Sequence, residues 1–199
     1  MVDTVGPTSP AQPGVTVEDV LTTFPELRDI ADDDLRRSVV DIWLEVLAES
    51  GWDSIADVPK HPYEVPASVK LVEHTRSTTQ MAVAVAEVAE RVQGAPYDRD
   101  LLIAAANLHD VSKLMEFEPS EEGGRASRFG RLVQHGVYGA HKMWEKGLPL
   151  ELVHNVIVHT ETSRYAPQTW EAVVVHAVDA LDSRALDLLH GGVPAVTKD

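Results

Sequence analysis

From Val17 onward, apolar residues recur every three or four positions, the repeat of amphipathic helices. Leu35, Val39, Ile42, Trp43, Val46 and Leu47 form one such stripe, which ends at Ser50-Gly51. Asp32, Asp33 and Asp34 stand before it as an N-cap and first-turn carboxylates facing the positive end of the helix dipole. The Pro-punctuated connector VPKHPYEVP follows. A longer helix is predicted from about Pro66 to Val92, closed by Gly94 and Pro96, with Met81, Val85, Val88 and Val92 as a core stripe. Asp98 opens the next helix, which reaches Leu108, and PSEEGGRASRFGR reads as a loop. Further helices are expected over Leu132 to Lys146, stopped by Gly147, and from Pro149 to about His159. A last helix runs from Trp170 to about Leu189, before Gly191-Gly192. The run AVVVHAV has the β-branched content of a strand, but ALDSRALDLL continues it at helical spacing. The predicted fold class is therefore all-α, without internal repeats.

Residues 1 to 15, rich in Pro, Gly, Ser and Thr, read as a flexible tail. Residues 16 to 60 read as an N-terminal helical extension packed on the main helical domain, 61 to 199. At 199 residues the chain can bury one sizeable core, and 44% apolar with 25% charged residues is ordinary for a globular protein. Cysteine is absent, which removes disulfides, zinc ribbons and thiol nucleophiles together. The opening residues lack a basic segment followed by an apolar one, and no apolar run approaches a bilayer's thickness, so the expectation is a cytoplasmic protein. A formal net charge of -15 argues against duplex nucleic acid or an anionic membrane as the main partner. A small anionic substrate stays compatible wherever local charge is positive. Arg125, Arg128, Arg131, Lys142 and Lys146, against Glu145 alone, make one such region of +4, leaving -19 for the remainder.

The stretch LLIAAANLHDVSKL changes this picture most. His109 and Asp110, two adjacent metal-ligand side chains, end an apolar helical run, with Lys113 three residues on. A buried carboxylate is costly unless a cation or several donors surround it, so the pair points to a metal. His74, His135, His159 and Asp179 fall on or at the ends of the other predicted helices, and bundles build metal sites from inward-facing side chains of several helices. Imidazole with carboxylate suits Fe, Mn, Co, Ni or Zn. Six N/O ligands exceed what one metal needs with a position left open, so one or two divalent transition metals per chain are expected.

The ordered series resembles the HD-domain superfamily, whose signature is H…HD…D with two further histidines in dinuclear members. LVEHTRSTTQMA carries the first His, ANLHDVSKL the dyad, and VVVHAVDALDSRAL the final Asp. Between them, RLVQHGVYGAHKMWEKGLPLELVHNVIVHT is similar to the second-metal region of the H-HD-H-H-D subgroup. The resemblance spans about residues 66 to 190 and implies an HD-type helical bundle. It implies that His74, His109, Asp110 and Asp179 bind a first metal, and that His135 and His159 bind a second with Asp110 bridging. It further implies hydrolysis of phosphate esters, often of nucleotides, by metal-activated water, and homodimeric pairing as a possible assembly. Asp110 and Lys113 are then the catalytic candidates, Lys113 supplying fixed positive charge to a phosphate. The GYP motif of cyclic-dinucleotide phosphodiesterases is missing, since TETSRYAPQT follows His159, which disfavours that substrate. Two other classes keep the same ligands: a mixed-valent di-iron oxygenase cleaving a C-C or C-P bond, and a nucleotide-binding regulatory module without turnover.

Plainer readings compete at several positions. Asp182, on the same predicted helix, is an alternative to Asp179. His141, His154 and His176 read as packing or outer residues, while His61 and His190 lie near connectors with no catalytic part. Lys113 has the option of snorkelling to the surface. Arg128, Arg131 and Arg184 are candidate phosphate contacts; a solvated helix face, or for Arg184 an intrahelical pair with Asp187, accounts for them equally well.

Overall fold

The buried run of residues 102 to 108 makes one helix the axis around which the others pack. In a computed structural model describing residues 14–61 and 69–190, this helix is α4, Arg99–Leu108. The Asp98 side chain caps it by accepting the Leu101 N–H at 3.0 Å. Around it lie α2 (Asp33–Glu49), α3 (Leu71–Gln93), α8 (Leu150–Val158) and α9 (Trp170–Leu189), with α1 (Val17–Thr23) packed on α2. The dyad follows α4 directly and leads into a single turn, α5 (Lys113–Glu116). Then come β1 (Phe117–Glu118), β2 (Arg125–Ala126), α6 (Arg128–Leu132) and α7 (Val137–Glu145). The two strands pair antiparallel, Phe117 opposite Ala126, and among the described residues the other regular elements are helical. The fold is all-α.

The N-terminal helices share the hydrophobic core of the rest of the chain. Asp32 caps α2 by accepting from Asp34 N and Leu35 N. Trp43 on α2 is fully buried, its ring 4.6 Å from that of Phe24, and its indole N–H donates to Asn107 Oδ1 at 2.7 Å. A buried indole needs such an acceptor, and here the acceptor lies two residues before the dyad. The Asp100 carboxylate adds a second tie by accepting from Ala31 N and Asp32 N.

Three expectations need correction. The core face of α3 is not Met81, Val85, Val88 and Val92: Val85, Val88 and Val92 are exposed and Met81 half-buried. The buried face carries Leu71, Thr75, Thr78, Ala82 and Ala86, also spaced by three and four. Small side chains there let α3 pack closely on α4 and α9, and helix period alone cannot choose between two faces with the same repeat. The helix expected over 132–146 is two helices, broken at Val133–Gly136. Gly136 has φ +82°, and a Cβ there would stand 2.6 Å from the Val156 carbonyl oxygen, so the break demands glycine. The stretch read as a loop contains β2 and the start of α6. Residues 1–13, most of the segment read as a tail, lie outside the described residues, as do Pro66 and Gly191-Gly192.

Candidate metal centre

Five segments deliver the ligand candidates to one place. His74 comes from the first turn of α3, His109 and Asp110 from the end of α4, and His135 from the break between α6 and α7. His159 caps α8 and Asp179 lies midway along α9. They fall into two groups, His74 with His109 and Asp179, and Asp110 with His135 and His159; within each, one donor atom per residue lies within 4.8 Å of the others. Asp110 also faces the first group. Its Oδ2 stands 3.3 Å from both His74 Nε2 and His109 Nε2, while Oδ1 stands 3.0 Å from His135 Nε2 and 3.6 Å from His159 Nε2. Asp179 Oδ1 is 3.1 Å from His74 Nε2.

Every one of the four imidazoles turns Nε2 inward because Nδ1 has an acceptor behind it. His109 Nδ1 and His159 Nδ1 each lie 2.7 Å from a carbonyl oxygen three residues back, of Ala106 and Val156. Asp182 Oδ2 holds His74 Nδ1 at 2.5 Å, and Glu116 Oε2 holds His135 Nδ1 at 2.7 Å. With the proton on Nδ1, four Nε2 lone pairs and the Asp110 and Asp179 carboxylates converge, a donor set that fits divalent transition metals. Asp182 therefore stands behind His74, as its orienting partner, and Asp179 faces the cluster. Asp182 is itself held, since the Ser77 hydroxyl donates to its Oδ1 at 2.6 Å. Glu116 had no sequence signal beyond its place six residues after the dyad. Asp182→Asn is expected to weaken metal binding about 10- to 100-fold while leaving the fold intact, measured by competition with a chelator. An unchanged affinity would remove Asp182 from this role.

Electrostatics in the cluster follow from these contacts. Burial disfavours charge on His74, but the carboxylates of Asp110, Asp179 and Asp182 outweigh it and raise its pKa to about 9. His135 is likewise disfavoured by burial yet raised to about 9 by Asp110 and Glu116. His159 is pushed down by burial. Burial opposes ionisation of Asp110, but Lys113 and His109 hold its carboxyl well below the usual carboxylate range. Asp179 is also lowered, His74 and His109 outweighing its burial.

Lys113 does not snorkel. It is 5% exposed, and its Nζ lies 2.7 Å from Asp110 Oδ2. It lines a cavity of about 480 Å³ together with Asp110, Glu116, His135, His159 and Asp179. Arg184, Glu161, Thr160, Thr162, Ser183 and Asp187 form another part of the wall. Arg184 pairs across to Glu161 at 2.6 Å, in place of the intrahelical partner Asp187. Arg128 and Arg131 are not among the described residues lining this cavity; Arg131 donates to the Ala126 carbonyl at 2.6 Å. The +4 region is also largely engaged elsewhere, Lys142 with Glu49 at 2.7 Å, Lys146 with Glu45 at 2.6 Å, and Arg125 with Glu118 at 2.6 Å. These ties, two of them to α2, were invisible to a count of charges along the chain. His141, His154 and His176 stand outside both groups. His61, expected near a connector with no catalytic part, lines the cavity. Burial, then Lys113 and Lys60, lower its pKa to about 3, so it is neutral.

Comparison with known proteins matches this arrangement to the HD domain family, whose profile covers residues 71–184. The chain belongs to the HD domain family. The matched region begins at the first residue of α3 and ends within α9, so it contains all six ligand candidates, while α1, α2 and the connector precede it. The HD-domain chain is also 30% identical over 168 residues to the dihydroneopterin 2',3'-cyclic phosphate phosphodiesterase of Methanocaldococcus jannaschii, covering 80% of this chain and 67% of that protein. No solved structure matches it significantly. Among the described residues, no helix is long and apolar enough to cross a membrane.

Proposed function

We propose that this HD-domain protein is a metal-dependent phosphohydrolase that cleaves a small, nucleotide-like phosphate ester by attack of water on phosphorus. The observation that carries the reading is Asp110, whose two oxygens face separate groups of ligands. His74, His109 and Asp179 would hold one divalent cation, and His135 with His159 a second, with one Asp110 oxygen toward each. Such cations act as Lewis acids and lower the pKa of water, which supplies a nucleophile near neutral pH. Lys113 places a fixed ammonium at the edge of the pair, where it stabilises negative charge growing on phosphoryl oxygens. The cavity has the size of a small-molecule site, and Thr160, Thr162 and Ser183 add hydroxyl-bearing residues to its wall. The name of the M. jannaschii relative directs the choice of ester toward a 2',3'-cyclic phosphate.

The test is hydrolysis by protein with verified metal content. Loaded with Mn, Fe, Co, Ni or Zn in turn, it is expected to open nucleoside 2',3'-cyclic phosphates to monoesters, followed by phosphorus NMR. Absence of hydrolysis across cyclic diesters, linear diesters and monoesters, with two metals bound per chain, would refute the proposal. Substrate-dependent dioxygen uptake by the iron form, with a mixed-valent signal in electron paramagnetic resonance, would assign the centre to oxygenase chemistry.

A further inference from the structure

The chain enters the cavity from outside the family region. Before α3 the backbone forms an antiparallel bridge between Pro59 and Lys70, closed by hydrogen bonds from Lys60 N to Val69 O at 3.0 Å and from Leu71 N to Val58 O at 2.9 Å. The bridge anchors the connector to the start of the helix that carries His74, and His61 follows two residues after Pro59. Its imidazole lines the same cavity as Asp110, Lys113, His135, His159 and Asp179. Lys60, 2% exposed, and Lys113, 5% exposed, are the cations whose fields it feels most strongly.

We propose that His61, supplied by the connector that precedes α3, contacts substrate by donating a hydrogen bond to a phosphoryl oxygen of an ester seated between it and Lys113. This rests on the phosphohydrolase reading above. A phosphate presents more acceptors than one ammonium can serve, and one direction of the Lys113 ammonium is already directed at Asp110. A second donor on the Lys113 side of the cavity meets that need. An imidazole suits it, because the neutral ring keeps one N–H in either tautomer and adds no charge repulsion next to Lys60 and Lys113. The connector before α3 is then a working part of the active site: α2, which it follows, is tied to α4 by Trp43 and Asn107, and the connector delivers a substrate contact.

The experiment compares wild type with His61→Ala and His61→Gln, each loaded with the same metal and matched for metal content and thermal midpoint. Inorganic phosphate binding is measured by calorimetry, and KM and kcat with a nucleoside 2',3'-cyclic phosphate. His61→Ala is expected to weaken phosphate binding and raise KM by roughly tenfold, the usual scale for a hydrogen bond to an anion. His61→Gln, which retains an N–H donor, is expected to recover part of both. Hydrolysis that proceeds with phosphate affinity and KM unchanged in His61→Ala would overturn the proposal and leave the function standing. Weakened phosphate binding in a protein whose wild type hydrolyses no ester would support the contact and refute the function. If His61→Ala fails to fold, His61→Phe, which keeps a ring and lacks the N–H, decides: weakened phosphate affinity at wild-type metal content supports the contact, and wild-type affinity overturns it.

Discussion

Replacing Asp110 by asparagine is expected to lower hydrolysis by at least about a thousandfold, with loss of most bound metal. The magnitude follows from role and place. Lewis-acid stabilisation by a bound cation contributes several kcal/mol to the transition state, and about 1.4 kcal/mol corresponds to tenfold in rate. Asp110 is 2% exposed, and the two oxygens of its one carboxylate serve both groups of ligands. An amide offers a single neutral acceptor oxygen and turns an N–H₂ toward the other group, where it meets Nε2 atoms whose lone pairs belong to a cation. Lys113, 2.7 Å from the lost carboxylate, also adds an uncompensated positive charge. Metal content by mass spectrometry and kcat/KM together check the result. Retention of two metals per chain with activity reduced less than tenfold would show that Asp110 is not shared between them.

Loading the centre is expected to release about two protons per chain at pH 7.5, because a ligating imidazole must be neutral. In the metal-free protein His74 and His135 keep their second protons up to about pH 9. Each must lose the Nε2 proton while Nδ1 stays protonated toward Asp182 or Glu116. Since one of them lies in each group, the affinity of each metal should fall about tenfold for every pH unit below 9. The stability of metal-free protein runs the other way. A pKa raised in the folded state stabilises fully below the unfolded histidine value of about 6.5, and that contribution disappears as pH rises through 9. The gap in Tm between loaded and chelated protein should therefore widen steadily from pH 6.5 to 9. Titration calorimetry in buffers of different ionisation enthalpy counts the protons directly. No proton release, or a gap that narrows over that range, would contradict the charged state of the two histidines.

How much of the centre was legible depended on the range of the interaction involved. Capping is local, so Asp32 and Asp98 were readable as helix starts, and each accepts backbone N–H groups within three residues. The ligand residue types, with their order around the His109-Asp110 pair, pointed to a metal because no packing role explains a carboxylate at the end of a buried helix. The valine stripe of α3 misled for a definite reason. Two faces of that helix repeat at the same interval, and the face with threonines and alanines is the buried one. Hydrophobicity ranks the valines higher, whereas close packing against α4 and α9 favours the small side chains.

Read alone, the chain of residues determined an all-α architecture, the chemical class of the site and its candidate ligands, because helical period, capping and ligand chemistry are written within a few residues of one another. Only the tertiary structure decided the rest. It showed which Asp110 oxygen faces which imidazoles, that Asp182 stands behind His74 across 108 positions of chain, and that Glu116 stands behind His135. It turned Lys142 and Lys146 toward Glu49 and Glu45 of α2 and away from a role as bait for anions. It also placed His61 and Lys113 on the wall of one cavity. Each of these is a contact between distant segments, set by how helices pack and where a bridge or a glycine turns the backbone. Spacing along a helix carries no record of them.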